Sequence, residues 1–157
     1  LSKEEDYGFW LINALDDVQK AKATLSEKVP GDIITSPDRP QWLVDFRGIK
    51  GSELNEGQQK ILHYLIEEYI GNLDHQKAEE YLAKLHARGM DSVYFAWIGS
   101  YEPMKAHYYI IHSPDFLIEY DNVGFLDNAN HIHSIWREKG NDFGEDILKK
   151  HRMDHKH

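Results

Sequence analysis

"AHYYIIHSPDFLIEYDN", Ala106 to Asn122, is the stretch on which the fold turns. Two β-branched and aromatic runs flank Ser113-Pro114-Asp115, a strong turn former. Runs of this kind parted by turn residues mark an antiparallel meander. Two more belong with them: "SVYFAWIG" (92–99) upstream and the more polar "HIHSIWR" (131–137) downstream, beyond a loop holding Gly124, Asn128 and Asn130. "FAWIG" reads as central-strand core. The turn also sets the register. If Ser113, Pro114 and Asp115 are all unpaired, His112 lies opposite Phe116 and His107 shares a face with Glu119 and Asp121. If only Pro114 and Asp115 are unpaired, Tyr108 takes that place instead.

Upstream, residues 1–89 read as helical. Ser2 and Glu5 have capping-box spacing, and Leu11, Ala14, Leu15, Val18, Ala21 and Leu25 recur at helical intervals up to Val29-Pro30-Gly31. Residues 30–54 form a long irregular connection whose Trp42, Leu43, Val44 and Phe46 are apolar enough to dock on a core. A second helix starts near Asn55, with Gln58 three residues on, and ends at Gly71. A third runs from Asp74 to His86, with Gly89 suited to the cap. A short helix from Asp142 or Phe143 to Lys150 precedes a tail containing His151, His155 and His157. The expected fold is α+β, with three main helices packed on an antiparallel sheet of about four strands. One domain is expected: a helical part (1–89), a strand-rich part (90–137), then the last helix and tail (138–157).

The bulk properties exclude several classes. A net charge of −9 opposes general nucleic-acid binding, and no basic run exceeds Lys149 to Arg152. No window approaches the roughly 18 apolar residues of a membrane span. Without cysteine there is no disulfide, thiol nucleophile or Cys-ligated metal. G-x-G-x-x-G, G-x-x-x-x-G-K-[ST], G-x-S-x-G and H-E-x-x-H are all absent. The chain opens at Leu1 without an apolar signal core, so it reads as a fragment from which a signal peptide or upstream segment has been removed.

Chemistry concentrates between Glu119 and Arg137. His131 and His133 alternate along a strand and face one side, roughly 6.5–7 Å apart. Glu119 and Asp121 have the same parity on the strand before. With the first register, His107 joins them, a set able to hold Zn, Mn or Fe. A metal-free polar pocket and a purely structural network account for the same residues, since Asp121-Asn122 and Asn128-Ala129-Asn130 are ordinary turn formers. Trp136 beside Arg137 suits a pocket rim where Arg137 binds an anion, against an ion pair of Arg137 with Glu138, Asp142 or Glu145. The other strand aromatics read mainly as core.

At "FAWIG", "HYYIIHSP", "FLIEYDN" and "ANHIHSIWR…NDFGEDILKKH" the chain resembles the bacterial domain-of-unknown-function family numbered 3500. The likeness extends to "LNEGQQKILHYLIEEYIGNL" and the opening helix. It implies a parent about twice as long, often exported to the periplasm or outside, whose upstream half carries a tryptophan-rich block with Gly-His-His. Nothing here matches that block, so the chain resembles the C-terminal half. The family's polar motif falls on His107, Glu119, Asp121, Asn122, Asn130, His131, His133, Trp136 and Arg137. Two departures stand out: Ile110 replaces the Arg that follows H-Y-Y, and "VGFLDN" replaces a short polar linker.

The functional expectation is an exported enzyme-like domain performing metal-assisted hydrolysis or metal-dependent oxidation. His107, His131 and His133 would hold the ion. One of Glu119 and Asp121 would complete the shell while the other acts as base on bound water. Asn122, Asn130, Trp136 and Arg137 would contact the ligand. Two alternatives stay open. One is a non-enzymatic module for a small molecule or saccharide, walled by Trp97, Tyr109 and Trp136. The other is a structural half that pairs with an upstream half of the same protein.

Overall fold

A computed structural model describes residues 2–31, 34, 45–123 and 131–139. In chain order the elements are α1 (Ser2–Ala14), α2 (Asp17–Ala23), β1 (Thr24–Ser26), β2 (Ile49–Lys50), α3 (Glu56–Ile70), α4 (His75–Arg88), β3 (Tyr94–Gly99), β4 (His107–His112), β5 (Phe116–Asn122) and β6 (Ile132–Glu138). The class is α+β, as the switch from helical to strand periodicity implies. The expected C-terminal helix, the histidine tail, Trp42 to Val44 and Asn130 lie outside the described residues.

The N-terminal helix is shorter than its apolar spacing predicts. It breaks after Ala14 because Asp16 and Gln19 form a new capping box: Gln19 N donates to Asp16 Oδ1 at 2.8 Å and Asp16 N to Gln19 Oε1 at 3.0 Å. Val18, counted in the apolar stripe, is 68% exposed, and Leu25 lies in a strand. Ser2 falls within the helix rather than ahead of it. The Asn55/Gln58 and Asp74 starts stand as read. Gln58 does more than cap, since its Nε2 also donates to Ala14 O at 2.8 Å and ties α3 to the end of α1. Gly89 closes α4 at a φ of 72°, a region that favours glycine.

The sheet has six strands rather than four, in the order β1-β3-β4-β5-β6, with β2 also on β3. β1 pairs parallel with Trp97 and Ile98, and β2 antiparallel with Tyr94 and Phe95. Two short strands therefore share the outer edge of β3 and cover an otherwise open ladder. Neither has the length for period-2 alternation to show in sequence. The residue 30–54 connection thus contains a strand; Phe46, expected to dock on the core, is 40% exposed although its ring stacks on His112 at 4.2 Å, whereas Ile34 is buried, at 4% exposure.

α1, α3 and α4 pack on one sheet face. There Phe9, Leu11, Ile12, Leu62, Leu65, Ile66, Tyr81 and Leu85 meet Phe95, Trp97, Tyr109, Ile111, Phe116, Ile118 and Tyr120. The i, i+3, i+4 stripe of α3 supplies the centre of that core, each fully buried side chain contributing roughly 1.5–3 kcal/mol. Gly8 lets α1 approach: a Cβ there would come 2.8 Å from the Tyr109 ring. The opposite face has a smaller apolar cluster of Ile34, Ala96, Ile98, Tyr108, Ile110 and Leu117, with Leu25 and Val29 against it. Every residue of β4 and β5 is buried, so both strands have cover on both sides.

Candidate functional site

The tight turn decides where the polar residues go. His112 pairs with Leu117 and Tyr108 with Asp121, so only Pro114 and Asp115 lie beyond the pairing, and Ser113 N donates to Phe116 O at 2.9 Å. Ser113 Oγ accepts from the backbone N–H of Asp115 and Phe116, which stabilises this shorter turn. Of the two registers the sequence allowed, this is the one that brings Tyr108, not His107, to Glu119 and Asp121. β6 continues it, with His133 opposite Asp121, Ile135 opposite Glu119 and Arg137 opposite Leu117.

Strand alternation then divides the eight anticipated residues that are described. Glu119, Asp121, His133 and Arg137, with His131 beside them, lie on the face away from the helices. His107, Asn122 and Trp136 lie on the helix-covered face. The five-residue convergence of His107 with Glu119, Asp121, His131 and His133 does not occur, because a one-residue shift in register turns His107 over. Among the described residues, no group of three or more His, Cys, Asp or Glu is placed to hold a metal ion. Trp136 and Arg137 likewise do not share a rim, being neighbours on one strand. Trp136 stacks on Phe116 at 4.6 Å and meets Tyr81 edge-on at 5.0 Å. Trp97 and Tyr109, the other expected pocket walls, are fully buried core. Glu138, considered as a partner for Arg137, instead pairs with Lys77 at 3.1 Å.

On the face away from the helices the carboxylates are 1% exposed and each has a defined partner. Tyr108 donates its hydroxyl to Glu119 Oε1, and Ile34 N donates to the same oxygen at 3.2 Å and to the Tyr108 oxygen at 3.0 Å. Burial and the Glu119 charge together push the Tyr108 hydroxyl far above its ordinary pKa, keeping it a donor. Asp121 grips His133 twice, accepting from the backbone N–H at 3.1 Å and contacting ring Nδ1 at 3.2 Å. A carboxylate accepts only, so Nδ1 carries a proton, and in the neutral ring Nε2 presents the lone pair. The Asp121 side chain is wholly buried while that of His133 is 39% exposed. The His131 ring lies 4.5 Å from the His133 ring, nearly perpendicular to it, and His131 is exposed.

His107 has a different setting. Its ring stacks on Trp97 at 5.4 Å, with Phe9 at 4.5 Å and Tyr120 at 5.7 Å around it. Burial lowers its pKa, outweighing the Lys105 carbonyl bonded to Nδ1 and the Glu5 carboxylate nearby. The unfolded chain binds this proton near the ordinary 6.5 while the folded one resists it. Stability is therefore complete above that value and falls as pH drops below it. His107→Phe, an aromatic replacement in an aromatic box, is expected to flatten the loss between pH 7.5 and 5 in urea titrations. An unchanged pH slope in the variant would show that His107 is not the group responsible.

The family model described as Protein of unknown function (DUF3500) matches residues 1–145. The chain belongs to this family. No curated protein and no solved structure matches it. In this DUF3500 member no helix among the described residues is long and apolar enough to cross a membrane. Asn130, part of the expected ligand-binding set, lies outside the described residues. Sequence reasoning missed the backbone N–H of Ile34 as a partner of Glu119, since nothing local marks a residue 85 positions away. It also missed Glu5, which reads as a helix-start acid but meets Asn122 Nδ2 at 3.0 Å.

Proposed function

We propose that the Asp121–His133 pair, with His131 beside it, is an acid–base centre acting on a small polar ligand, most simply in hydrolysis. The carrying observation is the twofold hold of buried Asp121 on half-exposed His133. That arrangement orients an imidazole and fixes its tautomer, so that Nε2 takes a proton from an attacking water or hydroxyl and returns it to the leaving group. Asp121 stabilises the imidazolium formed in between. Arg137, two residues further along the same face than Ile135, suits the orientation of an anionic group on the ligand.

The test is a panel of ester, phosphoester and glycoside substrates against wild type, Asp121→Asn and His133→Gln. A genuine turnover falls by about 10²–10⁴ in kcat in both variants, as expected when a general base or its orienting carboxylate is lost. Activity equal in all three proteins, or absent from all, would sink the acid–base reading. Ligand binding without turnover would instead favour the non-enzymatic module.

The closeness of the two imidazoles favours a second reading in which His131 and His133 are ligands of a divalent transition metal and Asp121 orients one of them from behind. Elemental analysis after offering Zn, Mn or Fe distinguishes it, using protein truncated before His151 so that the tail cannot contribute. Stoichiometric metal lost in His131→Ala/His133→Ala would make this a metal centre.

A further inference from the structure

The helix-covered side holds a second set of polar atoms that the Asp121–His133 centre does not use. The first turns of α1 and the adjoining ends of β5 and β6 border a cleft of about 280 Å³, lined by Glu5, Asp6, Phe9, Met104, Asn122 and Ile132. Asn122 is 3% exposed and its Nδ2 donates to Glu5 Oε1 at 3.0 Å. Because a carboxylate only accepts, this bond sets the amide's orientation and makes Oδ1 an acceptor. That oxygen is buried and has no hydrogen-bond partner among the described residues.

Behind Glu5 stands His107, fully buried, with Nδ1 2.8 Å from the Lys105 carbonyl oxygen. The carbonyl accepts, so Nδ1 carries the proton and Nε2 is a second acceptor. It too lacks a hydrogen-bond partner among the described residues, and it lies 3.4 Å from Glu5 Oε1. A lone pair thus faces a carboxylate. The Tyr120 hydroxyl, also buried and unpartnered, adds a single donor on this face. Exposed Asp6 contributes another carboxylate at the rim. An unpaired buried polar group destabilises a fold, so two such acceptors, one on the cleft wall and one behind Glu5, are better explained by what enters the cleft than by folding.

We propose that this cleft binds the protonated amine of a small alkylammonium compound. The ammonium donates to Glu5, Asp6 and Asn122 Oδ1, and Phe9, Met104 and Ile132 cover the carbon chain. The positive charge also relieves the approach of Glu5 to the His107 lone pair. A donor-rich organic cation fits better than a bare ion. The cleft wall offers carboxylates and one amide oxygen rather than three or more His, Asp or Glu placed around one point. Met104, 75% exposed at a φ of 68°, stands at the mouth where an apolar chain would leave.

The experiment titrates the full chain with n-butylammonium, with n-butanol as the neutral isostere and with Mg²⁺ and Zn²⁺ as bare cations, followed by calorimetry and backbone amide NMR. n-Butylammonium is expected to bind in the millimolar range, as suits so few heavy atoms, with shifts centred on Glu5, Asp6, Asn122 and Ile132. Butanol binds at least about tenfold more weakly, because it offers no charge to the carboxylates. Glu5→Gln weakens n-butylammonium by about tenfold. Asp6→Asn, at an exposed position that does not threaten folding, weakens it by about threefold with an unchanged thermal midpoint. Equal binding of butanol, shifts elsewhere, indifference to both variants, or binding of metal ions alone would each overturn the proposal.

Discussion

Replacing Trp97 with Ala is expected to lower the unfolding free energy by about 3–5 kcal/mol. The indole is fully buried at the centre of the main core, with Phe9 at 5.3 Å, Tyr109 at 6.1 Å and the His107 ring stacked on it. Its Nε1 donates to Ser100 O at 3.2 Å, which holds the exit of β3. Truncation therefore removes transfer energy, opens a cavity between α1 and the sheet, and leaves a carbonyl without its donor. Urea denaturation should show the midpoint falling with the slope preserved. Trp97→Phe keeps most of the ring contacts and should cost less than half as much. A loss under about 1 kcal/mol for Trp97→Ala would mean that the site collapses and that Trp97 does not organise this core.

The second large effect is expected on the other face. Tyr108→Phe removes one oxygen that serves two buried groups, a donor to Glu119 Oε1 and an acceptor for Ile34 N, which then keep only each other in this cluster. The expected loss is about 1–3 kcal/mol, because a buried carboxylate gives up one of its donors to a ring that offers none. Adding Glu119→Met should recover part of it, so that the double variant is more stable than the sum of the single losses predicts by about 1–2 kcal/mol. Simple additivity in that cycle would show that Tyr108 and Glu119 do not act as a pair. The same variant should speed amide exchange at Ile34 itself, whose N–H loses one of its two acceptors.

Much of the fold was legible because its signals are local. Asn55 with Gln58, Asp74, and the pairing of Gly71 and Gly89 with helix ends are capping chemistry written within four residues. The four longer strands announced themselves by β-branched and aromatic content. The break at Asp16 is written just as locally, but there a capping box competes with an apolar stripe that continues past it. What local signals could not show were β1 and β2, strands of three and two residues formed against the edge that β3 offers them.

For the candidate site the division is sharper. Strand parity was enough to put Glu119 with Asp121, and His131 with His133 and Arg137, since alternation is a property of the strand itself, whereas the β5–β6 register brings the two sets to one face. Whether His107 or Tyr108 joined them depended on one residue of turn length. Ser113 decided it by bonding Phe116 N with its hydroxyl while its own N–H paired with the Phe116 carbonyl. That choice moves a histidine from a polar face into an aromatic box against α1, some hundred residues earlier in the chain. The sequence alone thus determined the class, the helix ends and the face-sharing within each strand, because those follow from interactions a few residues long. The register, the edge strands and the partners of Glu119 and Asn122 were decided only in the tertiary structure, because they depend on which distant segments close over which side of the sheet.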